Sequence, residues 1–112
     1  MDLTISWMGG YRTADEQNEI FSRKCSSKDG YIKLSKHQQG LAFDFNPYVN
    51  GKAISLVEDK EDSFYYGMLI GLFITEAKEM GIEIRSGLDW NMNNIFISDQ
   101  RFQDWYHIEL KV

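Results

Sequence analysis

The sequence predicts an α+β domain, and three observations carry that prediction. Short segments at 3–7 and 41–45 alternate apolar and polar residues with period two, a capping box and a longer stripe of helical periodicity mark two helices, and no regular strand–helix–strand repeat is present. At 112 residues, 43% hydrophobic and 14% aromatic, with one proline and no low-complexity run, residues 1–112 read as one folded domain rather than a disordered chain.

Leu3, Ile5 and Trp7 alternate as a first strand that ends at Gly9-Gly10. Thr13-Ala14-Asp15-Glu16 is a capping box, which predicts a helix running to about Cys25 and puts Arg12 at the strand-to-helix junction. Residues 26–36 are polar and contain Asp29-Gly30, the signature of a loop or short hairpin. Leu41, Phe43 and Phe45 alternate with Ala42 and Asp44, so a second strand directs Asp44 away from the phenylalanines. Pro47 to Lys60, with Asn50-Gly51, reads as another loop.

From about Ser63 to Met80, Tyr65, Met68, Leu69, Leu72, Phe73, Ala77 and Met80 form a helical stripe assigned to the core, closed by Gly81. A short strand at Ile82 to Ile84 follows, then a loop with Gly87-Leu88-Asp89-Trp90 and a last strand through His107 to Leu110.

Composition excludes several function classes. Twelve Lys and Arg against seventeen Asp and Glu give a formal charge of -5, with no basic stripe, so nucleic acid is not an expected partner. The longest apolar stretch, Met68 to Ile74, is too short to span a bilayer. Met1 to Trp7 has no basic region followed by an apolar one, so we expect synthesis in the cytoplasm without a signal peptide. Cys25 is the single cysteine, has no partner for an internal disulfide, and reads as a half-buried small side chain at a helix end.

The chemistry concentrates around two histidines. His37 has Asp44 seven residues after it, and His107 lies between Asp104 and Glu109. Two imidazoles and a carboxylate are the three protein ligands of a hydrolytic zinc site, which points to a metal hydrolase with one Zn2+ on His37, Asp44 and His107. Such a site also needs a proton-transferring carboxylate. Asp104, at the entrance of the last strand, is assigned as that base, and Glu109, on the same strand face as His107, as a partner that orients an imidazole. Arg12 offers paired donors for a substrate carboxylate or an oxyanion. Ser35 offers a hydroxyl to substrate or to the ligand loop.

At these residues the chain resembles the zinc D-Ala-D-Ala carboxypeptidase and L-alanyl-D-glutamate peptidase family, which includes phage endolysins. The family signature S-x-H-x-x-G-x-A-x-D is matched in full by Ser35, His37, Gly40, Ala42 and Asp44. Gly10-Tyr11-Arg12-Thr13 through Gln17 is similar to its G-Y-R-[ST]-x-x-x-Q segment. Gly87-Leu88-Asp89-Trp90 and Phe102-Gln103-Asp104-Trp105-Tyr106-His107-Ile108-Glu109-Leu110 resemble the endolysin form G-G-D-W, then F-x-D-x-x-H-[FI]-x-L. Leu88 stands where the family has its second glycine, and Tyr106 where relatives often have Pro or Trp.

The resemblance implies a DD-peptidase/hedgehog-like fold: a small antiparallel sheet packed against two main helices, with zinc at the sheet face. It implies Asp104 and Arg12 as catalytic residues, and Arg12, Ser35 and Gln17 as substrate-binding ones. The implied activity is hydrolysis of a bond in the peptidoglycan stem peptide, foremost L-alanyl-D-glutamate, by a monomer acting at the bacterial cell wall after phage delivery or release. The alternatives are a D-alanyl-D-alanine carboxypeptidase or dipeptidase, and a non-catalytic phage structural or binding domain that keeps the fold.

Overall fold

The computed structural model describes residues 2–6, 8–54, 60–89, 92 and 104–111, and the backbone alone at 60–63, 104 and 105. In chain order the elements are β1 (Asp2–Ile5), α1 (Ala14–Ser22), β2 (Ala42–Val49), β3 (Lys52–Ala53), α2 (Lys60–Glu79), β4 (Ile84–Gly87) and β5 (Asp104–Leu110). The strands form one antiparallel sheet in the order β1-β2-β5-β4, with β3 also beside β2. The α+β class with its small antiparallel sheet and two helices is therefore the observed one. No helix among the described residues is long and apolar enough to cross a membrane.

β2 organises the sheet. Ala42, Phe43 and Asp44 pair with β5, Phe45 to Tyr48 with β1, and Tyr48 and Val49 with β3. The sequence reading stopped this strand before Pro47, yet it continues to Val49. A strand residue's N–H and C=O point to the same edge, and the Pro47 carbonyl accepts from the Ile54 N–H at 3.0 Å. The missing donor thus falls where the short β3 ladder begins, and pairing with β1, where Leu3 is opposite Pro47, is undisturbed. Asn50 and Gly51, both at positive φ (52° and 74°), make the two-residue hairpin turn to β3. β1 is exposed at all four positions, so its alternation marks an edge strand and not a buried one. Trp7 lies outside the described residues.

The capping box of α1 is present: the Glu16 N–H donates to Thr13 Oγ1, and the Thr13 N–H donates to Glu16 Oε1. The helix stops at Ser22, earlier than expected, because Lys24 turns left-handed (φ 61°) and the Lys24 and Cys25 N–H groups bond back to Phe21 and Ile20. Cys25 is consequently exposed, not half-buried.

α2 ends with the same pair of back-bonds, from Gly81 to Lys78 and from Ile82 to Ala77. Its buried face is Tyr66, Leu69, Ile70 and Ala77, with Phe73 and Ile74 packed beside them. The expected stripe is therefore corrected by about one residue: Met68 and Leu72 are 49% and 54% exposed, and Met80 is exposed as well. The helix is apolar nearly all round, so periodicity locates it without fixing its rotation.

Phe45 is fully buried, and Phe43, Phe45, Tyr66 and Phe73 meet edge-on or tilted at 5.3–5.7 Å between α2 partners and the sheet. Each such buried aromatic side chain contributes about 1.5–3 kcal/mol. Ile108 and Leu88 complete this core, so Leu88 fills space where the family pattern has glycine. Strand alternation sends Phe43, Phe45 and Ile108 toward α2, and Asp44, His107 and Glu109 to the opposite face. β4 spans Ile84–Gly87, not 82–84, so Gly87 closes a strand instead of opening a loop.

Candidate metal centre

His37, Asp44 and His107, all buried, offer ligand atoms that lie within 4.8 Å of one another. Strand register brings two of them together, since Asp44 and His107 are direct partners across β2 and β5. Asp44 Oδ1 stands 3.0 Å from His107 Nδ1 and 3.4 Å from His37 Nε2. Adjacent ligand atoms on a tetrahedral ion with bonds of about 2.0–2.1 Å are about 3.3 Å apart, so the cluster has the dimensions and the donor chemistry to hold a metal ion.

Each ligand is oriented from behind. His37 sits in a turn in which the Arg12 and Gly40 N–H groups donate to its carbonyl. Its Nδ1 donates to the Gly10 carbonyl at 3.0 Å, which fixes the tautomer and turns Nε2 toward Asp44. His107 Nε2 donates to Glu109 Oε1 at 2.9 Å, and Arg85 holds the other Glu109 oxygen at 2.8 Å. A ring between two carboxylates donates to both only as imidazolium; with a cation on the Nδ1 side, the Nε2–H on Glu109 is the tautomer a ligand requires. Asp44 Oδ2 receives Arg12 Nη2 at 3.2 Å, which leaves Oδ1 for the histidines.

Burial works to raise the Asp44 carboxyl, but hydrogen bonds from His107 and His37 outweigh it and hold the group below the usual carboxylate range. Glu109 behaves alike: burial opposes ionisation, and the His107 hydrogen bond with the Arg85 charge prevails. Both groups are therefore anions at neutral pH.

Arg12 is buried and engaged on three sides. Nε donates to the Met8 carbonyl at 2.6 Å, Nη1 to Gln17 Oε1 at 3.0 Å and Nη2 to Asp44. Gln17 has no exposed surface; Ser35 Oγ also donates to its Oε1, and its Nε2 donates to Ser26 Oγ and the Lys28 carbonyl. The structure thus puts Ser35 and Arg12 in the cleft wall, while Gln17 does not line the cleft and is joined to it through its bonds to Arg12, Ser35, Ser26 and Lys28. Gly9 closes the arrangement: its carbonyl accepts from the Asp44 N–H at 2.7 Å, and a Cβ there would lie 2.8 Å from the Ser6 carbonyl and 2.9 Å from that of Asp44.

Asp104 begins β5, opposite Gly87 and across a register shift between Ser86 and Gly87. Its side chain lies outside the described residues, as does Trp90. Sequence reasoning missed Arg85 and the Gly10 carbonyl. Arg85 had a signal, because pairing 84–87 with 108–110 sets it directly across from Glu109. A backbone carbonyl has no sequence signal.

The cleft at the cluster encloses about 760 Å³, between the end of α1, residues 34–39 and the polar sheet face. Fold and cluster define a class: an α+β domain with a buried His-Asp-His group, of the kind that could hold a metal ion, on one face of its sheet. The chain belongs to the phage L-alanyl-D-glutamate peptidase family, whose model matches residues 1–111. It is 36% identical over 111 residues to the L-alanyl-D-glutamate peptidase of Escherichia phage T5, covering 97% of this chain and 75% of that protein. In fold it is similar to the Serratia marcescens L-Ala D-Glu endopeptidase ChiX, with a TM-score of 0.69 at 22% identity. That match covers 97% of this chain, which spans 66% of the ChiX chain.

Proposed function

We propose that the chain is a zinc peptidase that hydrolyses the L-alanyl–D-glutamate bond of peptidoglycan stem peptides at the bacterial cell wall, as a monomer. Family membership supports the peptidase class and the bond, and the observation that carries the metal reading is the convergence of His37 Nε2, Asp44 Oδ1 and His107 Nδ1 at the floor of an open cleft. Two imidazoles with one carboxylate suit zinc, and three protein ligands leave a position open for water or substrate. Zinc bound there supplies Lewis-acid polarisation of the scissile carbonyl and lowers the pKa of water.

The protein's own groups do the rest. Asp104 takes the proton of the attacking water and returns it to the departing D-glutamate amine, as general base and then general acid. Arg12, anchored by Met8 and Gln17, directs its guanidinium at the L-alanyl oxyanion, and Ser35 bonds the substrate backbone. Glu109 with Arg85, and the Gly10 carbonyl, keep the two imidazoles in place.

Digestion of purified sacculi followed by muropeptide analysis tests the reading. New D-glutamate amino termini, abolished by chelator and restored by zinc, are expected. Release of D-alanine, or chelator-insensitive cleavage, would refute it.

A further inference from the structure

The cleft has the opposite charge balance to the chain. Seventeen acidic and twelve basic side chains give the whole protein a charge of -5. Among the described residues, Arg12, Arg23, Arg85, Lys28 and Lys36 line the cleft against Asp44 and Glu109, and the proposed base Asp104 makes a third carboxylate. Each arginine already pairs with a carboxylate of the chain: Arg12 with Asp44, Arg85 with Glu109 and Arg23 with Glu19 at 2.6 Å. Lys28 and Lys36 form no ion pair with the described residues. A concave wall with an excess of one sign concentrates its field on a ligand of the other sign.

Lys36 is the better placed of the two. It is half-buried and immediately precedes His37, whereas Lys28 is exposed and lies nine residues before it in the chain. The turn that carries Lys36 is held by its backbone carbonyl, which accepts from the Gln39 and Leu41 N–H groups at 3.1 and 2.9 Å. The ammonium plays no part in those bonds.

We infer that Lys36 selects stem peptides whose D-glutamate carries a free α-carboxylate over those in which that group is a carboxamide. This rests on the proposed function: D-glutamate continues the stem through its γ-carboxyl, so its α-carboxylate is attached to the same carbon as the scissile nitrogen. An anion that close to the cleaved bond lies in the cleft with the His37–Asp44–His107 group, and Lys36, next to His37 in the chain, lines that cleft with no ion pair among the described residues. A carboxamide keeps the shape and loses the charge.

Two synthetic muropeptides that differ only in this group provide the test, with kcat and KM measured separately. The zinc-loaded wild type is expected to favour the acid by about tenfold or more in kcat/KM, the weight of a hydrogen bond between charged groups. Lys36→Gln is expected to raise KM for the acid until both substrates are cut alike, with unchanged zinc content and melting temperature, and Lys36→Arg to retain most of the preference. Equal cleavage of both by the wild type, or an undiminished preference in Lys36→Gln, overturns the inference alone. If the zinc-loaded wild type cleaves neither, the proposed function fails and the inference falls with it.

Discussion

Asp44 and His107 stand directly opposite each other on β2 and β5, sixty-three residues apart in sequence, with Oδ1 and Nδ1 3.0 Å apart. The register that buries Phe43, Phe45 and Ile108 on one side of the sheet therefore brings Asp44 and His107 of the candidate metal site together on the other. A slip of one residue would put the ligands in the core and the core residues in the cleft. Correct folding of the sheet and formation of the site are one event.

Asp104 and Glu109 flank His107, and the proposed function gives them different roles that two variants separate. Asp104→Ala is expected to keep zinc and lose about 10²–10⁴-fold in kcat, the usual weight of a general acid–base group. Glu109→Ala is expected to lower zinc affinity about 10–100-fold, because the His107 ring loses the acceptor on its Nε2. Chelator competition and turnover at saturating zinc, measured on both, check this; the reverse pattern would exchange the roles.

Gln17→Ala should destabilise the fold. It leaves Arg12 Nη1, the Ser35 hydroxyl and the Lys28 carbonyl without this partner in a buried region, at about 1–3 kcal/mol for an unmet buried polar group. For a domain of this size each kcal/mol lowers the melting temperature by about 4 °C or more. A scan of thermal unfolding reads the difference; an unchanged melting temperature would mean the network carries no stability.

Arg12→Lys should weaken both metal binding and turnover. A single ammonium cannot satisfy the Met8 carbonyl, Gln17 and Asp44 together, and the Asp44 carboxylate then loses the bond that turns Oδ1 toward the histidines. Zinc affinity and kcat measured side by side test it. Loss of kcat at unchanged affinity would assign Arg12 to the transition state alone.

Metal-free protein should lose stability in acid through Asp44 and Glu109. Both have folded-state pKa values below the ordinary carboxylate range, so their stabilisation is complete above the unfolded values, about 4, and disappears as pH falls through the lower folded ones. Melting temperature followed downward from pH 6 should decline more steeply in the wild type than in Asp44→Asn. Parallel declines would remove Asp44 from the acid response.

Much of this was legible in the sequence because chemistry and pattern coincide there. Ser35 to Asp44 holds two members of the candidate metal site within ten residues, and Thr13 to Glu16 writes its own helix start. What escaped depended on tertiary context or on residues without a signal. Lys24 ends α1 in a left-handed conformation that lysine does not announce, so the helix was extended to Cys25. Pro47 reads as a strand breaker until its neighbours reveal that its missing donor falls at the start of a two-residue ladder. The rotation of α2 could not be taken from a segment apolar on nearly every side. The Arg85–Glu109 pair becomes visible only once β4 and β5 are in register.

Zinc content is the most direct test of the central claim that His37, Asp44 and His107 form one metal site. Elemental analysis of protein refolded with zinc and desalted should find one zinc per chain in the wild type and almost none in His37→Ala, Asp44→Ala or His107→Ala. Stoichiometric zinc in folded His37→Ala protein would contradict the account.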